Sequence, residues 1–431
     1  MSSVGTLQNS VQGRGRTYIV LILFLIGLYI PTSSQGVQSS ALVALTVPLF
    51  VIGLMTLLFL NGMGSYWLRA IGCCIPVVLV LSSLVSPFPI TEGGPIYSYT
   101  MLGLLYASNL KVQGSESYPV LSKGLLAVNL VSLILGLGII LQYEPIMNFL
   151  VAHYTYFYAD LLPIMFSMRK PVLTFGTHSV AGFFVFLLFW MNLRTYEARK
   201  NVSSLCFLFV YPVFSLFLFS FTSLAFLVWE LAFLLRLGLQ RRWKLTLAAI
   251  LILGSVGVAL AGRIDKDLRQ QLADYALSAL QSQGNGVLGR YSASTGDLAG
   301  DLAFLHDHPW QPVGLTGSKN LFFVDSGPVE YLLRGSLPLL LLIYSGMVGF
   351  FLSNLRNKKD AFVTIAAILT FEVGFSILPF ARMLFSLPFF IAYLNALQGP
   401  LAQTHWRSSQ RFATPSRPLQ SPPLALPGFE T

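Results

Sequence analysis

Hydrophobic residues of this 431-residue chain are gathered in long runs that short polar segments separate. A helix that crosses a bilayer needs about 20 mostly apolar residues, so each long run predicts one membrane span. Residues 220–223 divide one run in two, and the run 94–109 is short enough for a re-entrant segment. The pattern predicts an all-α, polytopic membrane protein of about twelve transmembrane helices. The predicted spans are 17–33, 41–60, 67–86, 94–109, 121–142, 172–191, 202–219, 221–239, 245–262, 328–353, 360–378 and 381–398.

The first span also has features of a signal peptide. Arg14 and Arg16 precede an apolar core at 18–30, the order that a secretory signal has. The segment 31–34 that follows lacks the small-x-small motif of a cleavage site. We therefore interpret 17–33 as a retained span.

Composition excludes a soluble protein of this length. Hydrophobic residues make up 55% and charged residues 10% of the chain, whereas soluble domains carry about 25% charged residues. With the N-terminus placed in the cytoplasm, eighteen of the 27 Lys and Arg residues fall on the inner side. Because retained cations set orientation, both termini are predicted to be cytoplasmic, and the net charge of +10 reflects topology instead of a nucleic-acid partner.

The predicted membrane domain covers 1–398, and the Pro-rich tail 399–431 is predicted to be disordered and cytoplasmic. Two outer loops, 143–171 and 263–327, are longer than connectors need to be, and loops of that length are usually functional or disordered. Apolar positions at helical spacing in the larger loop predict two short helices. The first is amphipathic and begins near residue 263. The second begins near Thr295, places Leu298, Leu302 and Leu305 on one face, and ends near His306.

Ionisable side chains gather at the outer ends of the predicted spans. Arginine offers a bidentate fork for a diphosphate, and a carboxylate or histidine can accept a proton from a hydroxyl group. The sequence therefore indicates a site for a phosphorylated, polar substrate on the outer face. The side chains concerned are Arg169, His178, Arg290, Asp325, Glu330, Arg334, Glu372 and Arg382.

Several of these residue types also have simple structural interpretations. Lys170, Arg263 and Arg269 could extend toward lipid headgroups. Glu230, inside a span, could pair with Arg236. His178 could equally be a packed residue at a helix start.

Short catalytic and metal-binding motifs give little support to other chemistries. His306 and His308 form an H-x-H pair, but no third ligand follows at a spacing typical of zinc sites, so we predict no metal. No Walker A, GxSxG, HExxH or GxGxxG motif is present. The three cysteines indicate neither a disulfide framework nor a CxxC site.

Three segments carry a resemblance to a known family. Arg169 is followed by the Gly-containing turn 175–178, Arg290 precedes His308-Pro309 and Gly314-Leu315-Thr316-Gly317, and Asp325-Ser326-Gly327 leads into a helix with Gly335. Together with the large outer loop before the last three spans, these segments resemble the O-antigen polymerase and ligase superfamily. The insertion 311–313 loosens the match at the Pro…Gly turn. Asp325 stands where ligases of the superfamily typically have histidine, which favours a polymerase over a ligase.

The resemblance implies a GT-C-like, metal-independent glycosyltransferase that needs no cofactor and works at the periplasmic face of the bacterial inner membrane. Its substrates would be oligosaccharide repeat units linked to undecaprenyl diphosphate, which it would polymerise into O-antigen, capsule or exopolysaccharide. A chain-length regulator and a flippase are candidate partners. Arg169 and Arg290 would bind the diphosphate, with Arg334 in a secondary role. Asp325 or His178 would be the base, and Glu330 would orient the site.

Two alternative functions stay open. One is an O-antigen ligase, which differs in its acceptor. The other is a transporter or flippase for polysaccharide or lipid-linked sugars. A flippase requires polar groups along a path across the bilayer, and the ionisable residues predicted at mid-membrane are essentially Glu230 and Glu372.

Overall fold

The computed structural model describes residues 2–30, 48–49, 51–56, 58, 62–111, 117–154, 161–241, 291, 298–316 and 326–398. Within these ranges every regular element is a helix, and an isolated β-bridge joins Met63 to Ser108. Five of these helices are long and apolar enough to cross a membrane. The chain is therefore an α-helical membrane protein, as its hydrophobic pattern predicts.

Parts of the prediction lie outside the described residues. They include the span 245–262, most of 41–60, most of the loop 263–327 with its first amphipathic helix, and the tail 399–431. The count of twelve spans and the GT-C-like arrangement therefore stay predictions. The described helices are α1 (Ser2–Tyr29), α2 (Tyr66–Val85), α3 (Gly94–Ala107), α4 (Tyr118–Ile140), α5 (Glu144–Tyr154), α6 (Leu161–Ser167), α7 (His178–Arg199), α8 (Val202–Leu218), α9 (Phe221–Arg241), α10 (Ala299–Asp307), α11 (Gly327–Asn354), α12 (Lys358–Glu372) and α13 (Ala381–Leu397).

Several predicted boundaries are confirmed. Helices α2, α8 and α13 each begin and end within one residue of the predicted span. Phe219 adopts a left-handed conformation with φ of 48°, which ends α8 and separates it from α9 as predicted. Helix α10 confirms the second short helix of the large outer loop, and Leu298 just before it is fully buried.

Other boundaries are wrong. Helix α7 begins at His178, not at 172, because Pro171 lacks an N–H and both Leu173 and Gly176 have positive φ. Helix α12 ends at Glu372 instead of 378, and the predicted loop 143–171 contains the helices α5 and α6.

The described helices alternate in direction between two ends of the molecule. At the loop end, which carries 86–93, 141–154, 161–177, 298–316 and 373–380, Thr174 Oγ1 donates to the carbonyl of Leu28, in the last turn of α1, over 2.5 Å. At the turn end, which carries 108–111, 117, 200–201 and 355–357, the Leu110 N–H donates to Asn354 Oδ1 over 2.7 Å. This alternation agrees with the predicted sidedness. Which end faces the cytoplasm stays a prediction.

Close helix contacts position the loop end. Gly72 of α2 and Gly103 of α3 meet backbone to backbone, so a Cβ on either would collide with the carbonyl oxygen of the other. Small residues commonly allow such close approach of membrane helices. Helix α7 is buried on nearly all sides and lies at the centre of the aromatic core, where Phe183 and Phe186 contact Phe226.

Helix α11 is interrupted about two turns beyond its start at Gly327. Gly335 and Ser336 leave helical geometry, and Ser336 has a φ of 53°. The freed carbonyls of Leu333 and Arg334 accept from the N–H groups of Val313 and Gly314 over 2.7 and 3.2 Å. Irregular backbone at membrane depth is tolerated where protein satisfies its polar groups. The break thus joins the extended segment 313–315 to α11.

Candidate functional site

The first polar group at the loop end is the Arg334 cluster, made of Arg334, Glu330, Glu92, Tyr99 and the carbonyl of Gly314. Arg334 donates from Nε to Glu330 over 2.9 Å, from Nη2 to Glu92 over 3.2 Å, and from Nη1 to the Gly314 carbonyl over 3.1 Å. Glu330 also accepts from the Tyr99 hydroxyl over 3.1 Å. Two carboxylates thus compensate one buried guanidinium, which lies between α11, the α2–α3 loop and segment 313–315.

Local backbone geometry explains why these groups meet. Glu330 and Arg334 stand four residues apart on one face of α11, the spacing at which helical side chains meet. Gly314 has a φ of 61°, and a Cβ there would collide with Ser83, so the segment needs glycine at this point. The N–H of Leu315 then donates to Ser83 Oγ over 3.0 Å, which fixes the segment on the end of α2.

The second group is the Glu372 cluster, made of Glu372, Tyr331, Tyr344 and Ser376. The Glu372 carboxylate accepts from the hydroxyls of Tyr331 and Tyr344 over 2.9 and 3.2 Å. It also accepts from the backbone N–H groups of Ile377 and Leu378 over 2.8 and 2.9 Å. A side chain at Gly327 would overlap this carboxylate, so glycine there allows the start of α11 to contact the end of α12.

The third group is the Arg382 site, made of Arg382, Thr174, Tyr154, Phe175 and the Leu28 carbonyl. The guanidinium is fully buried and donates from Nη1 to Thr174 Oγ1 and to the Leu28 carbonyl, each over 3.3 Å. It lies over the rings of Phe175 and Tyr154, with 5.2 and 5.9 Å to their centroids. In the part of the chain that the structure describes, its Nε and Nη2 atoms have no hydrogen-bond acceptor.

The loop before α7 builds one wall of the Arg382 site. Its residues 170–176 are all buried, and Arg169, Leu173 and Gly176 have positive φ. A left-handed conformation costs a non-glycine residue roughly 1–2 kcal/mol, and such conformations cluster at functional sites. Burial lowers the pKa of Lys170 in this loop. The interpretation that Lys170 reaches lipid headgroups is therefore wrong, since only 9% of the residue is exposed.

The structure brings only some of the predicted site residues together. Glu330 and Arg334 pair directly within the Arg334 cluster. Arg169 lies at the same end of the molecule and donates from Nη1 to the Ile140 carbonyl at the C-terminus of α4, over 3.5 Å. His178 is the first residue of α7 and is partly exposed. Asp325 and Arg290 lie outside the described residues.

Sequence reasoning missed other members of these groups. Glu92 pairs with a residue 242 positions later, and nothing in the local sequence indicates that contact. Tyr99 and Tyr331 looked like ordinary apolar span residues. The sequence did contain one indication, which is that several neighbouring spans carry a tyrosine. A buried tyrosine hydroxyl needs a hydrogen-bond partner, so these tyrosines indicate polar contacts between the spans. Glu230, expected to pair with Arg236, accepts instead from Ser215 over 3.2 Å.

The described residues show no built metal site. Within those ranges no group of three or more His, Cys, Asp or Glu could hold an ion. The His306 ring contacts Asp307 over 3.0 Å, and its side chain is 89% exposed.

A chain of polar side chains runs through the described bundle away from the loop end. Asn129 and Asn192 exchange amide hydrogen bonds of 3.0 and 3.2 Å, and the Tyr211 hydroxyl donates to Asn129 Oδ1 over 2.6 Å. The Tyr29 hydroxyl donates to the carbonyl of Val128, next to Asn129 in the chain, over 3.5 Å, and the Tyr29 carbonyl accepts from Tyr154 of the Arg382 site. Beside the asparagine pair, a cavity opens at the turn end.

No protein-family model matches this chain, and neither a curated protein nor a solved structure matches it. The arrangement of the side chains therefore carries the functional argument. It offers a buried guanidinium without a carboxylate partner among the described residues and, at the same end of the molecule, two carboxylates that a second guanidinium holds in place.

Proposed function

We propose that the chain is a membrane glycosyltransferase of the polysaccharide-polymerase type. It would act on oligosaccharide units linked to undecaprenyl diphosphate, at the periplasmic face of the bacterial inner membrane. The proposal rests on the resemblance of segments 169–184, 290–317 and 325–335, and on the cations and carboxylates that lie at the loop end.

The observation that supports it best is the Arg382 site. Removing a guanidinium from water is costly, and this one receives two oxygen acceptors and two aromatic faces but no carboxylate within the described residues. Such a group is suited to a diphosphate, whose oxygens match the arginine fork and whose charge would compensate it. Arg382 would then act with Arg169 and Arg290, which the resemblance assigns to the diphosphate.

Arg334 has a different environment. Its three donor positions already contact Glu330, Glu92 and the Gly314 carbonyl. Its secondary role toward the diphosphate stays a prediction. We infer that it mainly positions Glu330, which the resemblance places beside the base.

These roles describe the transfer of a glycan chain from the diphosphate to an acceptor hydroxyl group. An acceptor hydroxyl oxygen attacks the anomeric carbon of the growing chain, and the bond from that carbon to the diphosphate oxygen breaks. The hydroxyl proton passes to Asp325 or His178, and undecaprenyl diphosphate leaves. Arginines placed at the departing diphosphate stabilise the charge that develops there.

The test is surface polysaccharide analysis of a deletion strain complemented with variants. Arg382→Met removes the charge at similar length, and we expect polymer to fall by about 100-fold, as for loss of one preorganised charge donor. Arg382→Lys keeps the positive charge but lacks the bidentate guanidinium geometry, so it should restore part of the polymer. Arg356→Met, an exposed cation at the turn end, is the control and should keep full-length polymer.

The outcomes separate the alternatives. Single repeat units in place of a ladder indicate a polymerase, and intact polymer left on the lipid carrier indicates a ligase. Full-length polymer in the Arg382→Met strain, with the variant present at normal level in the membrane, would exclude the proposed role of Arg382.

A second candidate, a transporter for polar or lipid-linked sugars, is favoured by one observation. The polar groups of Asn129, Asn192, Tyr211 and Tyr29 lie between the cavity at the turn end and the Arg382 site. Polar residues inside membrane helices often mark substrate paths. If the chain were a flippase, the deletion strain would accumulate lipid-linked units on the cytoplasmic leaflet, and no single units would reach the surface.

A further inference from the structure

A cavity of about 220 Å³ opens at the turn end, between α4, α7, α8 and α13. It has room for about seven waters at about 30 Å³ each. Exposed Lys123 and Asn201 stand at its rim. Buried Asn129, Asn192 and Tyr393 line its interior.

The interior of the cavity is held in a fixed arrangement. Asn129 and Asn192 exchange amide hydrogen bonds, and Asn192 also donates to the Leu188 carbonyl over 2.8 Å. The Thr195 hydroxyl donates to the Met191 carbonyl over 2.7 Å and contacts the Tyr393 hydroxyl. Only one hydrogen of the Asn129 amide nitrogen has an acceptor among the described residues.

Polar side chains inside a membrane bundle are costly and are typically retained for packing or function. The asparagine pair joins α4 to α7 and accepts from Tyr211 of α8, so packing accounts for part of this arrangement. Both asparagines also border a cavity whose walls carry further hydroxyl and amide groups, at Ser122, Ser203 and Ser204 among others. The arrangement is that of a ligand site, with fixed polar groups in a preformed concave surface.

The lining determines the class of ligand. Among the lining residues that the structure describes there is no carboxylate, and the charged member, Lys123, disfavours a cation. Amides and hydroxyls both donate and accept, which suits a molecule that carries many hydroxyl groups. The rings of Tyr118 and Tyr393, with centroids 6.1 Å apart, add an aromatic wall.

We propose that this cavity binds a small, uncharged, hydroxyl-rich molecule of the size of a monosaccharide. The site lies at the opposite end of the described molecule from the Arg382 site, so the proposal does not depend on the proposed polymerase function. In a transporter it would be the substrate site at one end of the polar chain.

Isothermal titration calorimetry on the full-length protein in lipid nanodiscs, free of sugar-based detergent, tests the proposal. The probes are glucose, galactose and mannose, with glucosamine as a cationic analogue of the same size. We expect at least one neutral hexose to bind with a Kd of about 1 mM or lower, and glucosamine at least tenfold more weakly.

Variants connect binding to the cavity. Ser204→Met fills it from α8, and Ser122→Leu fills it from α4; each should weaken hexose binding at least tenfold while the melting temperature is retained. Val202→Met adds the same side chain on the same helix at a position that is 72% exposed and outside the lining, and it should leave binding unchanged. Absence of binding by all three neutral hexoses up to about 10 mM would overturn the proposal. Binding that neither filling variant weakens would overturn it too.

Discussion

Three buried cations at the loop end are accommodated in different ways. Arg334 is compensated by two carboxylates, and Arg382 by a carbonyl, a hydroxyl and two aromatic rings. Lys170 lies in a buried loop, where loss of hydration lowers its pKa. Burying a charge without full compensation is unfavourable, so Arg382 and Lys170 lower the stability of the folded protein. We interpret this loss of stability as a consequence of anion binding at these two residues.

At Lys170 we predict that Lys170→Met raises the melting temperature by about 1 °C, the shift that about 1 kcal/mol produces in a protein of this size. The burial penalty is fully present below the folded-state pKa, where the amine is charged in both states. It is lost as pH rises through that pKa toward the unfolded value. The rise in melting temperature that Lys170→Met produces should therefore be smaller at alkaline pH. A lower melting temperature at neutral pH would contradict this explanation.

At Arg334 we predict that Arg334→Met destabilises the protein by about 3–5 kcal/mol, because Glu330 and Glu92 lose their partner. Combining it with Glu330→Gln should recover part of this loss, since fewer unpaired charges stay buried. Denaturation of the three variants in nanodiscs measures the coupling. Strictly additive effects would mean that Arg334 and Glu330 do not act as a unit.

At the scale of the element, helix ends and breaks depend on neighbouring segments more than on local pattern. Helix α11 is one continuous apolar run in the sequence, yet it breaks at Gly335 and Ser336, where the N–H groups of segment 313–314 donate to the freed carbonyls of the helix. Pro338 follows in the first turn after the break, where its missing N–H costs little. The segment Gly335-Ser336-Leu337-Pro338 contains the glycine and proline that indicate a helix break. It lies inside an apolar run long enough for one span, so the sequence predicts an unbroken helix.

The α2–α3 contact gives a prediction at this scale. Gly72→Ala places a Cβ against the Gly103 carbonyl and should lower the melting temperature, because both backbones must move apart. Gly15→Ala in α1 is the matched control, since its Cβ meets nothing within 4 Å and alanine favours the helix by about 1 kcal/mol. A Gly72→Ala protein as stable as the control would show that the two helices separate at no cost.

At the scale of the whole molecule, the alternation of helix ends predicts accessibility. We expect a cysteine at Lys358, in the turn end, to react with an impermeant thiol reagent only after the membrane is opened. A cysteine at Trp310, 73% exposed at the loop end, should react in intact spheroplasts. The native Cys73, Cys74 and Cys206 are replaced by serine in both proteins. The reverse pattern would invert the topology and move the loop-end site to the cytoplasm.

The sequence by itself determined the class of protein, most described helices, and the side of the bundle where ionisable residues gather. This was possible because each helix in a membrane must satisfy its own backbone hydrogen bonds, so its apolar run is visible without knowledge of its neighbours. The spacing of Glu330 and Arg334 is local too, so their pairing on one face of α11 depends on the helix alone.

Only the tertiary structure decided which partners these residues have. Glu92 reaches Arg334 and Arg382 reaches Thr174 across 242 and 208 residues of chain, and such contacts leave no periodic trace in the sequence. The asparagine pair and its cavity likewise depend on how four helices meet. Apolar pattern determines which segments are helices. The packing of particular side chains determines which buried polar groups find partners and which are left for a ligand.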